Sequence, residues 1–169
     1  MVYRNNIDLN FRRLTYDDLA FLNEIRNECC VEFLHNSRQY SLEETHEWFF
    51  KTEPMFWIIM VDGERIGYFR TSNWVKENNN IYLGADLHKN YRGRGLAYES
   101  YMKFIPYISK ELDLHKVSLE VLVTNKRAIN LYKKIGFIVE GIKREEVYKN
   151  GKWVGSIIMS ILIPEFNNE

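Results

Sequence analysis

The residues of this chain best suited to chemistry stand in Tyr91-Arg92-Gly93-Arg94-Gly95-Leu96-Ala97, between an apolar run from Ile81 to Leu87 and an amphipathic run from Tyr98 to Leu112. A glycine turn leading from a strand into a helix leaves backbone N–H groups without intrahelical partners and aims the positive end of the helix dipole outward. Such a corner holds phosphate oxygens, so the pattern predicts a pyrophosphate-bearing cofactor. A Walker loop would require Gly-Lys-Ser/Thr, yet Gly95 is followed by Leu96 and Ala97. A dinucleotide fingerprint would require a third glycine where Ala97 and Tyr98 stand, and Glu111 and Asp113 near the ribose offset are ordinary for a helix end. Both nucleotide readings are therefore weak.

A second pattern follows. Val117 to Val123 alternates like a strand, and Thr124 or Asn125 then caps a helix whose apolar positions Ala128, Ile129, Leu131, Tyr132 and Ile135 recur at helical spacing. Gly136 is placed to end it.

The two patterns together resemble the GNAT superfamily of N-acetyltransferases. Arg92 to Ala97 has the form R-x-x-G-x-A of that family's acetyl-CoA pyrophosphate loop. Asn125 to Phe137 fills every position of N-x-x-A-x-x-L-Y-x-x-x-G-F. The resemblance extends from Phe11-Arg12-Arg13-Leu14 to the final strand. It implies acetyl-CoA as cosubstrate, held by Leu87, His88, Arg92, Gly93, Arg94, Gly95, Leu96, Ala97, Asn125 and Tyr132, with no metal. It also implies an α+β GNAT fold: a mixed, mostly antiparallel sheet of about seven strands, splayed at the cofactor and flanked by about four helices.

Transfer of an acetyl group from a thioester to an amine requires a neutral amine, donors for the developing oxyanion and a proton for the departing thiolate. Positioning both substrates contributes on the order of 7 to 11 kcal/mol, so the side chains have little bond chemistry left to do. Backbone N–H groups near Asp86 to His88 suit the oxyanion. A phenol of pKa about 10 suits protonation of a thiolate, and the resemblance gives this role to Tyr132. The base is less defined. Many relatives carry a glutamate two residues before the glycine matching Gly84, and Tyr82 stands there. Asp86, His88, a water chain or an already neutral amine remain.

The elements that must position these residues read as a mixed order without repeats or linkers. Strands are expected at Ile7–Leu14, Phe56–Val61, Arg65–Trp74 and Ile81–Leu87, and after the second motif at Phe137–Tyr148 and Trp153–Ile163. Asp62-Gly63 and Asn150-Gly151 mark hairpins. Helices are expected at Thr15–Glu28 and, behind a Ser41…Glu44 capping box, at Ser41–Lys51. Gly84 suggests either a bulge that opens the sheet or a packing glycine.

The acceptor must come from the N-terminal half. Arg26-Asn27, Asn36 and Ser41 to Phe49, with the Tyr148-to-Trp153 hairpin, resemble the RimJ/RimL branch, and within it the PseH-type enzymes acting on nucleotide-linked amino sugars. Phe33, His35, Trp57, Tyr68, Arg70, Trp74 and Tyr82 are the candidate acceptor residues. A protein N-terminus is the same-class alternative, and a non-catalytic acyl-CoA-binding module the alternative of another class. A polyamine is disfavoured because no acidic cluster stands out.

Composition agrees with one domain spanning residues 1–169: 46% of residues are hydrophobic and 27% charged, which is globular rather than disordered. Lysines and arginines number 23, matched by 23 aspartates and glutamates, so no nucleic-acid-gathering field is expected. Lys126, Arg127, Lys133, Lys134, Lys143 and Arg144 read as solvated faces. Cys29 and Cys30 read as thiols and the four histidines form no zinc spacing. No run reaches the ~20 apolar residues of a membrane span, and Met1 to Asn6 lacks a signal-peptide core, so a cytoplasmic location is expected. A homodimer is an expectation by family analogy.

Overall fold

In the computed structural model, which describes residues 7–166, seven strands form one sheet in the order β1-β2-β3-β4-β5-β7-β6. The strands are β1 (Leu9–Arg13), β2 (Phe56–Val61), β3 (Glu64–Val75), β4 (Asn80–Leu87), β5 (Lys116–Leu122), β6 (Ile138–Lys149) and β7 (Lys152–Leu162). Five helices accompany them: α1 (Leu19–Cys29), α2 (Leu42–Thr52), α3 (Leu96–Leu112), α4 (Lys126–Ile135) and the single turn α5 (Ile163–Phe166). The fifth stands beyond the expected four because the chain turns helical at Ile163, where the last strand was expected to end. Met1 to Asn6, read for a signal core, lies outside the described residues.

Strand alternation sorts the apolar residues onto two faces. Trp57, Ile59, Phe69, Ile81, Leu83, Val117, Leu119 and Met159 pack with Tyr101, Phe104 and Ile129 of α3 and α4. Ile58 and Tyr68 pack on the other face with Leu22, Ile25 and Cys29 of α1. At the entry to α1, the Asp18 carboxylate is buried and accepts bonds from Thr15 and from the guanidinium groups of Arg12 and Arg65. Burial acts to raise the Asp18 pKa, but these donors outweigh it and hold the carboxyl well below its ordinary value. The Ser41…Glu44 box forms as expected, with Glu44 N–H donating to Ser41 Oγ at 3.1 Å.

All sheet pairs are antiparallel except β4 with β5. That parallel pair joins only Asn80–Tyr82 to Lys116–Ser118. From Leu83 onward the two strands part, leaving the sheet open at its centre. Gly84 does not produce this opening: its pairing with Arg70 is regular, and no bulge occurs there. A Cβ on Gly84 would lie 2.8 Å from Arg70 Nη2, so the glycine makes room for a guanidinium lying across the strand.

Candidate active site

The parted strands open onto a cavity of about 960 Å³. At one end the chain leaves β4 through Gly93 (φ +77°) and Gly95 (φ +80°), and Gly95 directly precedes α3. Both glycines hold left-handed backbone that a residue bearing a Cβ adopts only with strain. The first N–H groups of α3 have no partner within the helix and point toward the loop. This cradle fits a pyrophosphate, and Gly93, Gly95, Leu96 and Ala97 line the cavity. Arg92 also lines the cavity, with its guanidinium engaged by the protein. Its Nε donates to Leu87 O, Nη1 to Glu28 Oε1 and Nη2 to Cys29 Sγ, so its side chain ties the loop to α1. Arg94 does not line the cavity; it is exposed, with its guanidinium over the Tyr91 ring. Arg127 and Lys134, read from sequence as solvated, do line it, and Arg127 Nη2 would be 3.6 Å from a Cβ on Gly93. The fold brings the start of α4 back to the loop, a closeness that their separation along the chain conceals.

Asn125 caps α4 by accepting from Ala128 N–H through Oδ1 at 3.2 Å, leaving Nδ2 free as a donor at the cavity wall. Tyr132 also lines the wall, its ring edge-on to Tyr101 with centroids 5.7 Å apart. Burial pushes the Tyr132 phenol above its ordinary pKa, with the Tyr101 hydroxyl pulling the other way. Tyr132 therefore holds its proton at neutral pH.

Two expectations for β4 are corrected. His88 N–H is spent on Ile66 O, so it is not free for an oxyanion. Because ladder partners alternate, Ala85 and Leu87 instead turn their N–H groups toward the opening. The His88 ring is also committed: Nδ1 accepts from Asn90 N–H, Nε2 meets Glu24, and the ring stacks on Phe21 of α1. It does not line the cavity, so the structure does not bring it to the acceptor as the base role would require. Asp86 does line it, but its carboxylate is paired with Arg70, Nε to Oδ2 at 2.8 Å.

Among the acceptor candidates, Phe33, His35, Tyr68 and Arg70 line the cavity, whereas Trp57, Trp74 and Tyr82 do not. Trp57 is fully buried on the α3 face, edge-on to Phe104 and under Arg13. Trp74 packs against that same core. Tyr82 sits where β4 is still paired with β5.

Glu120 of β5 was not singled out in the sequence. It stands beyond the point of parting, with His35 Nε2 at 3.2 Å, Lys143 Nζ at 2.9 Å and Ser156 Oγ at 2.6 Å. Burial acts to raise the Glu120 pKa, but Ser156 and Lys143 outweigh it and keep it below the ordinary value. His35 is held below its ordinary value by burial, against the pull of Glu120. Strand alternation alone could have placed Glu120 on the open face. Its partner from a loop 85 residues earlier in the chain was not readable. Cys29 and Cys30 are free, buried thiols, and burial pushes Cys29 up to about 12. Among the described residues no His, Cys, Asp and Glu cluster suits a metal, and no helix is long and apolar enough to cross a membrane.

The chain is similar over 168 residues to the spermidine N(1)-acetyltransferase of Escherichia coli K12, at 27% identity and covering 90% of this chain and 85% of that one. It is 26% identical over 104 residues to the uS5-alanine N-acetyltransferase of the same organism, covering 61% of this chain and 54% of that enzyme. In structure it matches Vibrio cholerae spermidine N-acetyltransferase bound to CoA and spermine, with a TM-score of 0.88 and 24% identity over 95% of this chain and 98% of that one. The profile of the acetyltransferase (GNAT) domain matches residues 8–138. With the glycine cradle and the parted strands, that match establishes that the chain belongs to the GNAT family and is an acetyl-CoA-dependent N-acetyltransferase.

Proposed function

We propose that this enzyme acetylates the primary amine of a small molecule by direct transfer within a ternary complex. The observation that carries the reading is the opening between β4 and β5, bordered by the glycine cradle at one end and by Tyr132 at its wall. Acetyl-CoA supplies an acetyl thioester able to acylate a neutral amine. The N–H groups of Ala85 and Leu87 edge the gap and suit the carbonyl oxygen of the transition state. Tyr132 gives its proton to the leaving sulfur as the C–S bond breaks.

The His35–Glu120 pair fills the place of the base. Nε2 faces the Glu120 carboxylate at 3.2 Å, which favours the tautomer with its proton there and the lone pair on Nδ1, and the lowered pKa leaves the ring neutral and able to take the amine proton as the C–N bond forms.

The acceptor end has aromatic walls in Phe33, Tyr40, Trp48 and Phe56 and presents both signs of charge, since Arg26, Lys51, Glu44 and Glu47 also line the cavity. Stacking surfaces with cations suit a sugar ring carrying an anionic nucleotide, the reading favoured here. A polyamine is the second reading, favoured by the relatives named for spermidine. Parallel assays with a nucleotide-linked amino sugar, spermidine and an N-terminal alanyl peptide decide between them. Turnover of the sugar alone is expected; turnover confined to spermidine or to the peptide overturns that choice. Acetylation of none of them, with acetyl-CoA still bound, would overturn all three acceptor readings.

A further inference from the structure

The wall of the acceptor end is a loop between α1 and α2 whose residues Phe33, Leu34, His35 and Asn36 all line the cavity. The far part of the loop is tied locally: Asn27 Nδ2 donates to Tyr40 O, Asn27 Oδ1 accepts from Tyr40 N–H, and Asn36 Oδ1 accepts from Arg38 N–H. The stretch that lines the cavity, Phe33 to Asn36, is bracketed in addition by a residue more than a hundred positions away. Lys149, the last residue of β6, is 6% exposed, and its Nζ donates to Cys30 O at 2.8 Å, Val31 O at 3.0 Å and Ser37 Oγ at 2.6 Å. An ammonium has three donors, and all three are used here on neutral oxygens. Cys30 and Val31 lie at the C-terminal end of α1, where carbonyls lack helical partners and the dipole favours a cation. Ser37 lies on the far side of the cavity-lining residues. One side chain thus grips the loop immediately before and immediately after its functional part.

The hairpin explains how the lysine arrives there. Asn150 (φ +51°) and Gly151 (φ +79°) form a two-residue turn of the kind that fixes hairpin register, with Lys149 paired to Lys152. Burial pulls the Lys149 ammonium below its ordinary pKa, a cost that a lysine serving only solubility would not carry.

We propose that Lys149 is a positioning residue for the acceptor: it staples the loop carrying Phe33 to Asn36 and so determines acceptor recognition without touching the cofactor cradle. This rests on the assignment of that wall to the acceptor. A shape-matched Lys149→Met removes the three donors, and Ser37→Ala removes only the distal grip. For Lys149→Met we expect the KM for the amine turned over in the assays above to rise about tenfold, and that for acetyl-CoA to stay within about twofold. Amide exchange should quicken in residues 31–38 and stay unchanged in residues 92–98. An unchanged acceptor KM overturns the proposal, even where exchange quickens. If Lys149→Met fails to fold or weakens both substrates alike, Ser37→Ala decides, with a severalfold rise in acceptor KM alone supporting the staple and no change overturning it. A wild-type enzyme that acetylates none of the amines would count against the reaction; amide exchange then tests the staple without an acceptor, and unchanged exchange in 31–38 overturns it.

Discussion

In the proposed reaction Tyr132 and His35, both lining one cavity, divide the proton traffic, and each proposed role has its own kinetic signature. Tyr132→Phe keeps the ring packing against Tyr101 and Phe137 but loses the proton, so kcat should fall about a hundredfold while calorimetric affinity for acetyl-CoA holds. For His35 the sign follows from its lowered pKa. The neutral base is present above the ordinary histidine value and lost only as pH falls below it, so the acid limb of kcat/KM should lie under pH 6.5. The charged groups around it, Glu120, Glu146 and Arg70, set how far under. His35→Gln should abolish that limb. An acid limb unmoved in this variant would transfer the role elsewhere. At this scale the sequence was readable where a function needs a local pattern: Tyr132 and Asn125 stand in one helix signature. It was not readable where partners meet through folding. His35 with Glu120 and Arg92 with Glu28 are such pairs, and His88 stood beside the right loop with its ring turned away.

The elements were more legible than the side chains they carry. Hairpin turns, capping residues and periodicity placed every strand within a few residues, because these signals act over one or two turns of chain. The faces were less legible. Trp57 and Tyr68 both read as aromatic candidates on neighbouring strands, yet strand parity puts one in the α3 core and the other at the cavity. The glycine cradle gives a test at this level. Gly95→Ala places a Cβ on backbone at φ +80° with open space around it, so the cost is conformational, about 1 kcal/mol. Acetyl-CoA affinity should weaken about five- to tenfold in calorimetry, with acceptor KM unchanged. Gly84→Ala acts on the other substrate. Its Cβ displaces the Arg70 guanidinium, a movable side-chain end, so the protein should fold while the Arg70–Asp86 pair shifts and acceptor KM rises.

Across the whole molecule, the sheet is two ribbons, β1 to β4 and β5 with β7 and β6, meeting through three residue pairs. Saturating acetyl-CoA at about a hundred times its Kd should add about 2.7 kcal/mol, or roughly 5 to 10 °C in Tm for a chain of this size. A Tm indifferent to acetyl-CoA would count against the cradle. The opening also has a mechanical meaning. An interrupted ladder is a fault line through the middle of the core. If the cofactor lies along it, as the proposed reaction would have it, the sheet is most nearly complete while loaded and product departure reopens its central seam every turnover. Forces or denaturants that act on the empty enzyme should break first the three pairs that join Asn80–Tyr82 to Lys116–Ser118, while the hairpins at either edge still hold.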